Sequence, residues 1–132
     1  MFKVMIVDED VRQSREIIDE IGLHYHVLNC SRGAKALDLC RAFQPDALIL
    51  DPATPGLNAQ ELIAETRNQP GASRAPVLLM THFTTIRHIE KSFDWGVDFV
   101  FSKPCSTDRL GRKLAEFMGK AARYRQTQLV EL

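Results

Sequence analysis

The 132-residue sequence has no net charge to offer a partner: seventeen lysines and arginines oppose seventeen aspartates and glutamates. Nucleic acids and anionic membranes both select for an excess of positive charge, so neither is expected to bind the domain as a whole. No apolar run approaches the ~18 residues of a membrane span, and the N-terminus lacks the basic-then-apolar pattern of a secretory signal. Cysteine is scarce. Cys30, Cys40 and Cys105 make an odd number at no metal-binding spacing, which predicts reduced thiols filling core positions and a cytoplasmic protein. Internal repeats and low-complexity stretches are absent. What remains is a chain whose residues are 45% hydrophobic, enough for one domain with a real core.

The pattern within that chain is alternation. Short runs rich in valine, isoleucine and leucine alternate with amphipathic stretches of roughly ten to fifteen residues, as βα units around a parallel sheet require. Strands are expected at 3–8, 25–29, 47–51, 77–81 and 99–102. A helix over 10–21 would bury Val11, Ile18 and Ile21 and end at Gly22. The second helix would bury Ala36, Cys40 and Phe43, with Pro45 preventing its continuation. Asn58 followed by Glu61 reads as the start of a third helix carrying Leu62, Ile63 and Thr66. Ile86, Ile89 and Phe93 mark a fourth that stops near Gly96. The fifth starts at Ser106 or Thr107, with Leu110, Leu114, Phe117 and Ala121 on its buried side. Residues 123–132 have weaker periodicity and read as a helix end or a linker stub. The sum is an α/β domain over residues 1–122, a doubly wound five-stranded parallel sheet in (βα)5 order between two helical layers.

In such a sheet, ligands bind beyond the carboxyl ends of the strands. The first strand ends in Asp8-Glu9-Asp10, the third in Asp51, the fourth in Thr81 and the fifth in Lys103. A parallel sheet brings these ends to one edge. Clustered carboxylates repel unless a cation relieves them. Mg2+ does so with oxygen ligands while keeping several waters. A lysine and a hydroxyl beside such a metal suit an incoming phosphoryl group, and one carboxylate held in line can act as its nucleophile. The chemistry points to a transient aspartyl phosphate.

The stretches VMIVDED (4–10), ALILDPATPG (47–56), PVLLMT (76–81) and GVDFVFSKP (96–104) together resemble the receiver domain of two-component response regulators, a flavodoxin-like fold. Each stretch alone is weak; the spacing of thirty residues from Asp51 to Thr81 and twenty-two from Thr81 to Lys103 is specific. The resemblance covers roughly residues 2–122. It implies strand order 2-1-3-4-5, Asp51 as phosphoacceptor, and Mg2+ held by Asp8, Glu9, Asp51 and the main-chain carbonyl of Ala53. It further implies Thr81 as the switch hydroxyl, Lys103 as the phosphoryl-binding ammonium, and a cis bond between Lys103 and Pro104. A sensor histidine kinase or histidine phosphotransfer protein would donate the phosphoryl group. The 84–122 face would then regulate a downstream protein or an output domain, or pair two copies in a homodimer.

The chain also departs from the family pattern. His82 follows the switch threonine where a small residue is usual, and Val100 stands where an aromatic is common. Cys105 follows the lysine-proline pair, and Pro52 follows the acceptor. These departures predict a relay that runs through His82 and the 84–94 helix rather than through an aromatic flip. Apolar Ala53 and Phe83, where the family tunes water access, predict a long-lived phosphoryl group. The alternative is a receiver-like module that binds proteins without phosphorylation. A dehalogenase-type phosphate hydrolase, suggested by Asp8-x-Asp10, is disfavoured because Arg12 occupies the place of a small β-branched residue. The expectation is therefore a signalling switch and not an enzyme.

Overall fold

The computed structural model describes residues 1–72, 74–82 and 85–131, with residues 122–131 described by backbone alone. Among these residues the chain forms β1 (Lys3–Val7), α1 (Val11–Ile21), β2 (His26–Cys30), α2 (Ala36–Phe43), β3 (Ala47–Leu50), α3 (Ala59–Arg67), β4 (Val77–Thr81), α4 (Ile86–Asp94), β5 (Phe99–Ser102) and α5 (Thr107–Glu131). A short 3-10 turn, Gly33–Lys35, leads into α2. All strands are parallel, in the order β2-β1-β3-β4-β5. None of the described helices is long and apolar enough to cross a membrane.

The central strands β1, β3 and β4 are apolar along both faces because each face is roofed by helices. Val4, Ile6, Ile49, Leu78, Met80 and Phe101 point to one side, where they meet Ile17 and Ile21 of α1 and Leu110, Leu114 and Met118 of α5. Met5, Val7, Leu48, Leu50 and Leu79 point to the other, against Cys40 of α2 and Leu62 and Ile63 of α3. The two cores make a three-layer α/β/α sandwich, a doubly wound flavodoxin-like fold. The order reverses at β1, so α1 and α2 lie on opposite faces and leave a crevice at the strand ends between β1 and β3.

Local signals set the element ends. Asp10 accepts a hydrogen bond from the Gln13 N–H at 3.1 Å and caps α1. Asn58 does the same for α3 through the Glu61 N–H at 3.0 Å, and Ser106 for α5 through the Arg109 N–H at 3.2 Å. Gly22 ends α1 in a right-handed conformation, and a Cβ there would lie 2.6 Å from the Ile18 carbonyl oxygen. Its role is thus a matter of space rather than of left-handed backbone. The left-handed cap is at Gln44, φ 53°, which closes α2 just before Pro45.

Several sequence expectations are corrected. β2 begins at His26, one residue later than expected. In α1 the buried positions are Ser14, Ile17 and Ile21, while Val11 is 48% exposed and Ile18 is only half-buried. With two adjacent isoleucines, the seven-residue count from Val11 chose the wrong one. Ile86 and Phe93 of α4 are 73% and 47% exposed; Ser92 is the residue of α4 that is buried. In α5, Met118 is buried and Phe117 lies at the edge of the core. The backbone of α5 continues helical to Glu131, so residues 123–131 prolong it.

Candidate functional site

Register assembles the site. Val7 of β1 pairs with Leu50 of β3, which pairs with Leu79 of β4, and Thr81 pairs with Ser102 of β5. The next residues in β1, β3 and β5 are Asp8, Asp51 and Lys103, so all three leave the sheet at one edge. Asp8 and Asp51 fall just past the strand ends rather than inside them. Their N–H groups still donate to Cys30 and Val7 carbonyls at 3.1 and 2.8 Å.

The three side chains meet. Lys103 Nζ donates to Asp8 Oδ2 at 2.7 Å and to Asp51 Oδ2 at 2.5 Å. Both carboxylates are buried, and the lysine side chain is only 5% exposed. The second oxygen of each carboxylate is held by main chain. Asp8 Oδ1 accepts from the Asp10 N–H at 2.9 Å, and Asp51 Oδ1 accepts from the Ala53 N–H at 2.8 Å. Burial opposes the charge on Lys103, but the hydrogen bonds and charges of Asp51 and Asp8 outweigh it. They hold the ammonium above its ordinary pKa.

One ammonium between two buried carboxylates leaves the cluster one negative charge in excess. All its donors are hard oxygens, so Asp8 and Asp51 fit a divalent cation such as Mg2+. Among the described residues no group of three or more histidine, cysteine, aspartate or glutamate side chains is arranged to hold a metal. Glu9, expected as a ligand, is exposed beside the cluster and is not brought into it. Ala53 is held in the acceptor loop by its N–H bond to Asp51. Thr81 is buried, 1% exposed, at the end of β4, and its carbonyl accepts from the Lys103 N–H at 2.9 Å. That bond fixes where the lysine departs from the sheet. The Lys103–Pro104 peptide is cis.

The acceptor is braced by residues that carry no functional signal in the sequence. Thr54 is buried and closes a turn on Asp51: its N–H and its hydroxyl both donate to the Asp51 carbonyl, at 3.1 and 2.7 Å. Gly33 donates its N–H to the Pro55 carbonyl at 3.1 Å, and a Cβ on Gly33 would fall 2.3 Å from the Leu57 nitrogen. Gly56 takes φ +81°, a conformation that only glycine adopts readily. The contact between the two turns is long-range, and no local pattern in the sequence announces it.

His82 is exposed at the cleft mouth, with Asp10, Arg12, Gln13, Glu16, Lys103 and Pro104. Val100 packs on the face of the sheet that also carries Leu79. Phe99 and Phe101 pack on the opposite face, with Lys113 and Arg109 over their rings at 4.7 and 6.0 Å. Phe83 lies outside the described residues. Cys30 and Cys40 are buried as expected, whereas Cys105 is only half-buried; His24 and His26 are exposed.

Comparison with known proteins follows the same lines. The polar-differentiation response regulator DivK of Brucella anthropi is 26% identical over 121 residues, covering 89% of this chain and 97% of DivK. Hybrid signal transduction histidine kinase D of Dictyostelium discoideum is 24% identical over 128 residues, 96% of this chain, which spans 8% of that protein's length. Among solved structures, the receiver domain of sensor histidine kinase PA1611 from Pseudomonas aeruginosa PAO1 superimposes with a TM-score of 0.74 at 22% identity. The match covers 89% of this chain and 98% of that one, which has a magnesium ion coordinated in its active-site cleft. The family model for the response regulator receiver domain matches residues 4–115. With most of its length inside that match and an acid–lysine–acid cluster at the edge of a 2-1-3-4-5 sheet, this chain belongs to the response regulator receiver domains of two-component signalling.

Proposed function

We propose that the chain is a phosphoacceptor switch in which Asp51 is the nucleophile. The observation that carries this reading is Lys103 Nζ bridging Asp8 and Asp51 in a buried cluster. An Asp51 oxygen attacks the phosphorus of a phosphohistidine on a sensor histidine kinase or a phosphotransfer protein. A P–O bond forms as the P–N bond breaks, and the leaving imidazole nitrogen keeps the electron pair. The Ala53 N–H orients the carboxylate through its other oxygen. Lys103, already charged, turns from neutralising carboxylates to neutralising phosphoryl oxygens. Thr81, at the end of the adjacent strand, supplies a hydroxyl to the new group. Bound at Asp8 and Asp51, with Glu9 and the Ala53 carbonyl as further candidate ligands, Mg2+ would offset the charge gathered on the transferring group.

The product adds roughly −1.5 to −2 charges to the site. The 84–122 face relays that change to a downstream protein, an output domain or a second copy of the chain. The chain acts in the cytoplasm, by stoichiometric phosphorylation rather than by substrate turnover. Intact-mass spectrometry after treatment with acetyl phosphate and Mg2+ tests the reading. Wild type is expected to gain one phosphoryl group, and Asp51→Asn or chelator-treated protein none. A wild type that stays unmodified points instead to a binding module independent of phosphorylation.

A further inference from the structure

The cleft at the mouth of the site holds a histidine that the chemistry above leaves unused. It has a volume of about 190 Å3 and runs between the first turns of α1, the end of β4 and the Lys103–Pro104 corner. Most of its polar lining is already engaged. Asp10 caps α1, and its N–H binds Asp8. Arg12 pairs with Glu16 at 3.9 Å. Gln13 donates to the Cys105 sulfur at 3.5 Å, and Lys103 is shared between Asp8 and Asp51. His82 differs: among the described residues its ring makes no hydrogen bond or ion pair. It follows Thr81 directly, so its position is fixed by the last ladder residue of β4.

We propose that His82 is a donor-binding residue, whose ring N–H engages the anionic phosphodonor in this cleft before transfer to Asp51. The inference rests on the phosphoacceptor reading above and adds to it the group that selects and holds the donor. The imidazole ring always carries at least one N–H donor. Lys103 serves the phosphoryl group after transfer has begun; His82 serves it at the entrance. Hydrogen bonds to charged groups are the strong ones, so loss of this contact is expected to weaken donor capture about tenfold.

The experiment is the rate of Asp51 phosphorylation by acetyl phosphate in Mg2+, across donor concentrations, for wild type, His82→Ala and His82→Gln. His82→Ala is expected to raise the half-saturating donor concentration about tenfold, with the rate at saturation unchanged. His82→Gln, which keeps an N–H donor, recovers part of the loss. Spontaneous loss of the phosphoryl group, followed after donor removal, stays at the wild-type rate in both variants. An alanine variant that matches wild type, or is faster because the ring only obstructs entry, overturns the inference while leaving the acceptor role of Asp51 intact. A wild type that gains no phosphoryl group overturns both.

Discussion

Lys103 matters more than its size because it is the single cation between two acids that water scarcely reaches. Removing one partner of a buried ion pair costs about 3–5 kcal/mol, since the other charge is left unpaired in a poor solvent. Lys103→Met strands two carboxylates at once and is expected to destabilise the fold by about 3 kcal/mol, read from the denaturation midpoint. Asp51→Asn removes one of the two acids that compete for the lysine, leaves Asp8 paired, and is expected to hold or raise the midpoint. The ammonium's pKa is raised in the folded state, so its contribution is complete below the ordinary lysine range near 10.5 and is lost only as pH climbs through the higher folded value. Between pH 6 and 9, stability differences between wild type and Lys103→Met are therefore expected to stay constant with respect to the lysine.

Helix faces show where sequence legibility ends. Strand positions, the capped starts at Asn58 and Ser106, and the convergence of Asp8, Asp51 and Lys103 at one sheet edge were legible because each depends on a local run or a strand end. The face a helix buries depends on the rotation at which it docks, and adjacent isoleucines at 17 and 18 satisfy the helical period nearly equally. The observed docking separates them. Ile17 is fully buried and Ile18 half-buried, so Ile17→Ala is expected to cost about 3 kcal/mol and Ile18→Ala about 1. On the same buried stripe, the Ser14 hydroxyl has no hydrogen-bond partner among the described residues. Ser14→Ala removes that desolvated group and improves helix propensity, for an expected gain of about 1 kcal/mol. The three variants, measured by urea denaturation with an unchanged slope, test the rotation of α1 directly. Equal losses for the two isoleucines would place the helix at another angle. The acceptor loop was illegible for a different reason. Its brace joins Gly33 to Pro55 and Leu57, and no local pattern announces a contact across that distance.

At the scale of the whole molecule, the three thiols report on the two cores and the site rim separately. Cys40 is inaccessible in the core shared with α2 and α3, where its sulfur lies 3.1 Å from the Thr66 hydroxyl oxygen; burial raises its pKa above the ordinary thiol range. Cys30 is 3% exposed at the end of β2, with its thiol donating to the Arg32 carbonyl at 3.0 Å. Cys105 is partly exposed beside Lys103, yet burial still outweighs the lysine's charge and lifts its pKa too. The thiolate is the reactive form, so a raised pKa makes it scarce at neutral pH. Iodoacetamide is expected to modify Cys105 alone in the native protein, slowly at pH 7 and faster as pH rises toward and past the ordinary thiol range. Cys30 and Cys40 are expected to react only as fast as the sandwich opens, and all three to react promptly in denaturant. Peptide mass spectrometry at several pH values separates the two controls. Reaction at Cys105 limited by ionisation follows pH, whereas reaction at Cys40 limited by opening follows stability and so should accelerate in Ile17→Ala. That coupling is informative because Ile17 lies in the opposite core: a single cooperative sheet transmits the loss across its own thickness, whereas two independently opening layers leave Cys40 protected.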